Sequence, residues 1–411
     1  MRIALVTPHA TPPGSCTTSG SGLHVIPLAQ ALAELGHEIT VYARKDSRGL
    51  PSQLTVTQGV RIEHVPAGPQ TRLDADELAP HIRSFGDYLA RRWHRDPPEL
   101  AHAYAWPSGL AALAGARDLD IPVVQTFHSL ESPGGRYRLP VSREPLARTR
   151  LKVCLARSVH AVLARSSQEM RQLAALGVPR PSIRVVPWGV DTGHFGPDGP
   201  AQQRDGRPRL LTLWPPDGSP GLDVLVRALA GVPGAELVVA GGPARGQLAR
   251  NKLYQDITRL AARARVDDRL TFTGGVSWQD LPALLRSADV PACASLEGLY
   301  DPGALQAMAC GTPVVAPAAG FYADAVIDGT TGLLVPPGRP SLLAKRIRRL
   351  LASPLQMEAF GIAAADRARS RYSWDRIGRE TAQAYQRCLP RAVAGPAEVE
   401  EQDAELLDAV A

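Results

Sequence analysis

The sequence predicts an α/β protein of two successive Rossmann-like, doubly wound domains facing a central cleft. Three observations carry this expectation. Short apolar runs alternate with helical runs along most of the chain. The alternation stops at GPDGPAQQRDGRP (196–208), a Gly/Pro-rich polar stretch, and then restarts. A length of 411 residues suits two domains of about 200 residues better than one.

The elements follow in order. IALVTP (3–8) reads as a first buried strand and LHVIPLAQALAELGH (23–37) as an amphipathic helix ending at Gly36. EITVYAR (38–44) and VRIEHVPAG (60–68) are strands, and ELAHAYAWPSG (99–109) contains the end of another. LAALAGARDLDI is helical, PVVQTFHS (122–129) is a strand, and SVHAVLARSS (158–167) and IRVVPWG (183–189) continue the pattern. Beyond the linker come RLLTLWP (209–215), a helix from Leu222 to Leu229, AELVVAGG (235–242), a helix near 250–264, RLTFTGG (269–275), LPALLRSADV (281–290) and TPVVAPA (312–318). The expected domains are therefore 1–195 and 209–371, with a closing helix over 372–390 and an acidic, disordered tail over 391–411.

Composition narrows the function. No apolar run approaches the roughly 18–20 residues of a membrane span, and MRIALVTPHA reads as a strand, not a secretory signal. Five cysteines with no CxxC pair indicate reduced thiols in a cytoplasmic protein and argue against a zinc site. The net charge of +6 suits phosphate-bearing ligands or peripheral contact with a membrane surface. Aromatic residues are only 5% of the chain, too few for base-stacking platforms, so nucleic acid is not an expected partner.

Rossmann-like sheets bind ligands at the carboxyl ends of their strands. A dinucleotide site expects GxGxxG after the first strand. GSGLHV offers Gly20 and Gly22 without the third glycine, and the second strand ends in the basic YARK. Hydride-transfer chemistry is therefore the weaker alternative.

The stretch LEGLYDPGALQAMACGTPVVAPAAGFYADAVIDGTTGLLVPPGRP (296–340) resembles the donor-binding half of the family 4 retaining glycosyltransferases, which have the two-domain GT-B fold. AMACGTPVVA followed by DGTTGLLVPP is the most specific part. MRIALVTPHA, GSGLHVIPLAQALAELGHEITVYAR, HAYAWPSGLAALA, VVPWGVD, ELVVAGGPA and YSWDRIGRE are similar to other segments of that family.

The resemblance implies transfer of a hexose from a nucleotide-diphosphate sugar, bound by the second domain, to a small-molecule, lipid or glycan acceptor held by the first. Configuration is retained, and no metal or cofactor beyond the co-substrate is expected. It also implies an Arg and a Lys at the departing diphosphate and two glutamates on the donor. Here those four positions fall at Pro215, Pro220, Gly298 and Gln306. Glu297 or Asp301 is the candidate replacement for the first glutamate, and Gln306 can still hydrogen-bond a ribose without charge.

Further candidates follow from the resemblance and from the residues themselves. His128 is placed near the reacting centre as a hydrogen bonder. The backbone at Gly275 and Val276 is placed at the nucleotide base, and the helix start at Gly303, Ala304 and Leu305 offers N–H groups to phosphate. Ser21 and Gly22 form an acceptor or phosphate loop. Arg245 is the candidate replacement cation, with Lys252 and Arg165 behind it; all three are otherwise expected as solvated surface residues. His24 is expected at the surface, Trp188 at the domain junction and Cys310 in the core. The thinned charge set leaves an alternative, a catalytically silent GT-B protein serving as an auxiliary or partner-binding subunit. An epimerase of related shape is a third reading.

Overall fold

The computed structural model describes residues 1–10, 24–127, 146–215, 221–293, 295 and 302–389. The chain divides into two compact units. The first takes Met1–Pro13, Ser21–Trp188 and Ile377 onward, and the second is essentially Gly189–Arg376.

The first unit contains β1 (Arg2–Thr7), α1 (Val25–Glu34), β2 (Glu38–Arg44), β3 (Gln53–Thr57), β4 (Val60–Val65), α2 (Ile82–Trp93), β5 (Leu100–Tyr104), α3 (Trp106–Ala116), β6 (Val123–Thr126), α4 (Leu146–Ser158), β7 (Ala161–Ala164), α5 (Ser167–Ala175) and β8 (Ile183–Val185). The strands form one sheet in the order β3-β4-β2-β1-β5-β6-β7-β8. Only β3 is antiparallel to its neighbour.

The apolar, Val/Ala/Leu-rich strands are nearly continuously buried, as expected for a sheet covered on both faces. One face carries a core of Val6, Leu89, Trp93, Leu110 and Leu155, supplied with α2, α3 and α4. In this unit β3, α2, α4 and α5 had no reading in the sequence. β3 is an exposed edge strand in which Thr and Gln outnumber apolar residues. α2 places Ile82, Phe85, Leu89 and Trp93 at helical spacing among charges.

The second unit contains β9 (Arg209–Leu213), α6 (Leu222–Leu229), β10 (Glu236–Ala240), α7 (Lys252–Ala264), β11 (Leu270–Gly274), α8 (Leu281–Arg286), β12 (Val290–Pro291), α9 (Pro302–Ala309), β13 (Val314–Pro317), α10 (Gly320–Ala325), β14 (Gly332–Val335), α11 (Pro340–Leu351) and α12 (Pro354–Tyr372). Its parallel sheet runs β11-β10-β9-β12, and a bridge from Ala292 to Val315 lays the parallel pair β13-β14 alongside. Alternate strand residues enter two cores: Leu210, Leu237 and Val239 face α6, α7 and α11, while Leu211, Val238 and Ala240 face α8, α9 and α12. Two covered faces define a doubly wound sheet.

Residues 196–208, read from the sequence as a linker, lie within the second unit. Arg286 donates to Gly196 O and Pro200 O, Gln202 N–H donates to Ala283 O, and Arg204 pairs with Asp289. The chain leaves the first unit at Trp188, upstream of this stretch. Polar composition marked a solvated surface segment here, not a free one.

The closing helix also differs from its expected bounds. α12 ends at Tyr372, Ser373 turns extended (φ −62°, ψ 146°), and α13 (Trp374–Cys388) begins anew. From Ile377 onward α13 is counted with the first unit. There Gly378 lies against α1: a Cβ at this position would stand 3.0 Å from the Ala31 methyl. The tail beyond Leu389 lies outside the described residues.

Candidate active site

In the second unit, glycines let the carboxyl ends of three adjacent strands touch. Gly242 (φ 87°) follows β10, and a Cβ there would sit 2.5 Å from the Trp214 ring that follows β9. Gly274 (φ 71°) ends β11, and a Cβ there would sit 2.8 Å from Arg245 N. Both positive φ angles suit glycine. Gly241 N–H donates to Gly274 O, closing the gap between the strand ends.

This contact chain gathers Pro215, Arg245, Gly275 and Val276 at one end of the sheet. Arg245 is exposed at the start of a short 3₁₀ segment, Arg245–Arg250, and Gly275 is exposed beside it. Val276 is half-buried against the core. Lys252 is also exposed, at the start of α7. Two residues beyond Val276, Trp278 stacks on His194 with centroids 4.8 Å apart and planes 7° apart, and His194 Nε2 donates to Trp278 O. The sequence reading had not singled out this pair.

α9 supplies the other candidates. Ala304 and Leu305 are fully buried core side chains, so only their backbones remain for a ligand. Gly303 is also buried. Gln306 is 7% exposed, and its Oε1 is buried without a hydrogen-bond partner among the described residues. A buried amide oxygen left unmatched forfeits about 1–3 kcal/mol, which a ligand donor would recover. Burial pushes the Cys310 thiol up to about 12, which makes it an inert core residue. Pro220, Glu297, Gly298 and Asp301 lie outside the described residues.

In the first unit, His128, Ser21 and Gly22 likewise lie outside the described residues. Ala105, after β5, has φ 64° and ψ 157°, a backbone region that is costly for an L-residue. Gln125 Nε2 donates to Ala105 O (3.1 Å) and Thr126 O (2.8 Å) and so holds the ends of β5 and β6 together.

His9, after β1, lies between Asp46 Oδ2 (2.8 Å from Nδ1) and Leu73 O (3.0 Å from Nε2). The His9 hydrogen bond holds the Asp46 carboxyl below the usual carboxylate range. The sequence analysis missed both residues. The available signal was a His and an Asp just past the ends of the first two strands.

Two expectations in this unit are corrected. His24 is buried, not at the surface, because its ring packs against that of Trp188, with centroids 4.2 Å apart and planes tilted by 32°. Arg165 is not solvated. It is 9% exposed and pairs with Glu169 (3.3 Å), whose Oε2 also accepts the Arg165 backbone N–H (2.7 Å). Ser166 caps α5 by accepting from Glu169 N–H, so the arginine is consumed by a helix start.

Each unit carries its own doubly wound sheet, and comparison with known proteins gives the chain a family. Residues 18–194 match Glycosyltransferase Family 4, and residues 215–353 match Glycosyl transferases group 1. The chain is 31% identical over 415 residues to a D-inositol 3-phosphate glycosyltransferase of Nocardiopsis dassonvillei, covering 95% of this chain and 96% of that protein. Its fold resembles sucrose-phosphate synthase from Thermosynechococcus elongatus, with a TM-score of 0.83, 25% identity and coverage of 94% and 98%. It also resembles HepE of Anabaena in complex with UDP-glucose in fold, with a TM-score of 0.72, 18% identity and coverage of 94% and 100%.

The fold is GT-B. The chain belongs to the family 4 glycosyltransferases and is an enzyme of that class. No helix among the described residues is long and apolar enough to cross a membrane.

Proposed function

We propose that this enzyme transfers a hexose from a nucleotide-diphosphate sugar to an acceptor hydroxyl, with retention of configuration and without a metal ion, in the cytoplasm. The observation that carries the reading is Gln306 Oε1, an unmatched buried acceptor on α9 suited to a ribose hydroxyl. The UDP-glucose bound to HepE supports the donor class. The names of the relatives make inositol 3-phosphate the first acceptor to test.

In the transfer, the bond from the anomeric carbon to the β-phosphate oxygen breaks and its electron pair leaves with the diphosphate. The acceptor oxygen bonds to the anomeric carbon on the same face, and its proton passes to the departing phosphate oxygen. Departing charge is met by the N–H groups at the start of α9 and by Arg245, because Pro215 and Pro220 supply no cation. Gly275 and Val276 meet the base through their backbone. Glu297 or Asp301 holds the donor sugar, His128 hydrogen-bonds near the reacting centre, and Ser21 and Gly22 present backbone N–H groups. No relative named above is described as silent, and no observation favours that alternative.

Thermal unfolding against UDP, GDP, ADP and TDP, and then their sugar conjugates, tests the donor. Ligand at 100 times its Kd adds about 2.7 kcal/mol, a shift of a few degrees. A shift with one nucleotide names the base. No shift with any of them at saturating concentration overturns the donor reading.

A further inference from the structure

Six large apolar side chains are exposed among the described residues, and four of them, Ile327, Leu342, Leu355 and Ile362, belong to one stretch of the second unit. Leu355 is 78% exposed and Ile362 60%. Single exposed apolar residues are ordinary. Their concentration here coincides with a second feature. Residues 339–351, RPSLLAKRIRRLL, hold five cations and no acid, while 327–362 as a whole contains only two carboxylates, Asp328 and Glu358.

On each helix these groups lie opposite the buried positions, and Phe360 in the first half of α12 joins the same core as α11. α11 buries Leu343, Ala344, Ile347 and Leu350. Its opposite side therefore turns out Leu342, Lys345 and Arg349, at i, i+3 and i+7. α12 buries Phe360, Ala364 and Ala368 and turns out Leu355 and Ile362, two turns apart. Arg346 reaches Asp328 at 3.8 Å, which brings the neighbouring Ile327 beside α11 and neutralises one of the two acids.

We propose that α11 and the first half of α12 form a docking face for an anionic lipid surface. Apolar tips set among cations match the boundary between lipid headgroups and acyl chains, where the tips insert and the cations meet phosphates. A protein partner would call for a continuous apolar centre, about 800 Å² per side in a stable complex. A second copy meeting the same face would set cations against cations.

The test is co-sedimentation of the full chain with vesicles of phosphatidylcholine alone and of phosphatidylcholine with phosphatidylglycerol. The expected result is binding only to the vesicles containing phosphatidylglycerol, weakened by salt. Lys345→Ala with Arg349→Ala should lower the partition coefficient about 10- to 30-fold. Leu355→Ser with Ile362→Ser should lower the part that survives high salt. All four positions are exposed, so melting temperature and transfer in solution should not change. Absence of binding to anionic vesicles overturns the proposal, as does undiminished binding by the four-residue variant. Capture of the wild type by a soluble acidic polypeptide but not by vesicles would assign the face to a protein and overturn the lipid reading.

Discussion

The hydroxyl of Tyr385 lies 2.6 Å from Nδ1 of His102, joining α13 to β5 across 283 positions of sequence. Thr126 Oγ1 gives its hydrogen to Leu163 O (3.1 Å) and so accepts from His102 Nε2 (2.9 Å). Nδ1 is therefore the acceptor, and the hydroxyls of Tyr385 and Tyr104 (3.1 Å) both lie within hydrogen-bond reach of it. Burial lowers His102 to about 3, so it stays neutral in the folded protein. The unfolded chain binds a proton at this residue below about 6.5 and the folded chain does not, so stability falls with pH by about 1.4 kcal/mol per unit below that value. Urea midpoints between about pH 5 and 7 should show this slope, and His102→Gln should remove its share. Tyr385→Phe should cost about 1–2 kcal/mol at neutral pH.

Asp46 gives a second acid-side term. Its folded value is depressed by His9, so its stabilisation is complete above the unfolded value near 3.9 and is lost as pH falls through the folded value. Asp46→Asn should therefore lower stability at neutral pH and flatten the acid limb of a stability–pH curve. An unchanged acid limb in that variant would contradict the His9–Asp46 assignment.

Gln306→Leu should separate binding from folding. Removing a buried, unmatched acceptor leaves the ligand-free melting temperature equal or higher, because no hydrogen bond is lost. Nucleotide affinity should fall about 10- to 100-fold, since a ribose hydroxyl is then left unmatched. Titration calorimetry on both forms checks each half. Equal affinities would remove Gln306 from the site.

Gly361 lies against the turn of the CGTPVV motif. A Cβ there would stand 2.2 Å from Gly311 O, a backbone atom that cannot swing aside. Gly361→Ala should destabilise the protein by about 1–3 kcal/mol through overpacking. Its effect should appear in chemical denaturation without any change in the donor nucleotide preferred.

This last contact shows why the scaffold was readable. AMACGTPVVA encodes a helix end, a left-handed glycine and a buried strand in ten letters, and each letter is constrained by backbone geometry or core volume. The alternation of strands and helices was legible for the same reason. β3 was not, because an exposed edge strand has no apolar period to read. Arg165 and His24 were misread because their partners, Glu169 and Trp188, come from capping and from ring packing between distant residues. The pairing of His9 with Asp46 needed the parallel register of β1 on β2, which sets their carboxyl ends side by side.

The return of α13 to the first unit also governs the order in which the protein can be made. The second unit is contiguous in sequence from Gly189 to Arg376, whereas the first keeps a helix that is translated after it. Until Tyr385 leaves the ribosome, the His102 acceptor and the α1 surface around Ala31 lack their native cover. The half synthesised first is thus completed after the second, and nascent chains should expose this surface to chaperones until α13 has emerged.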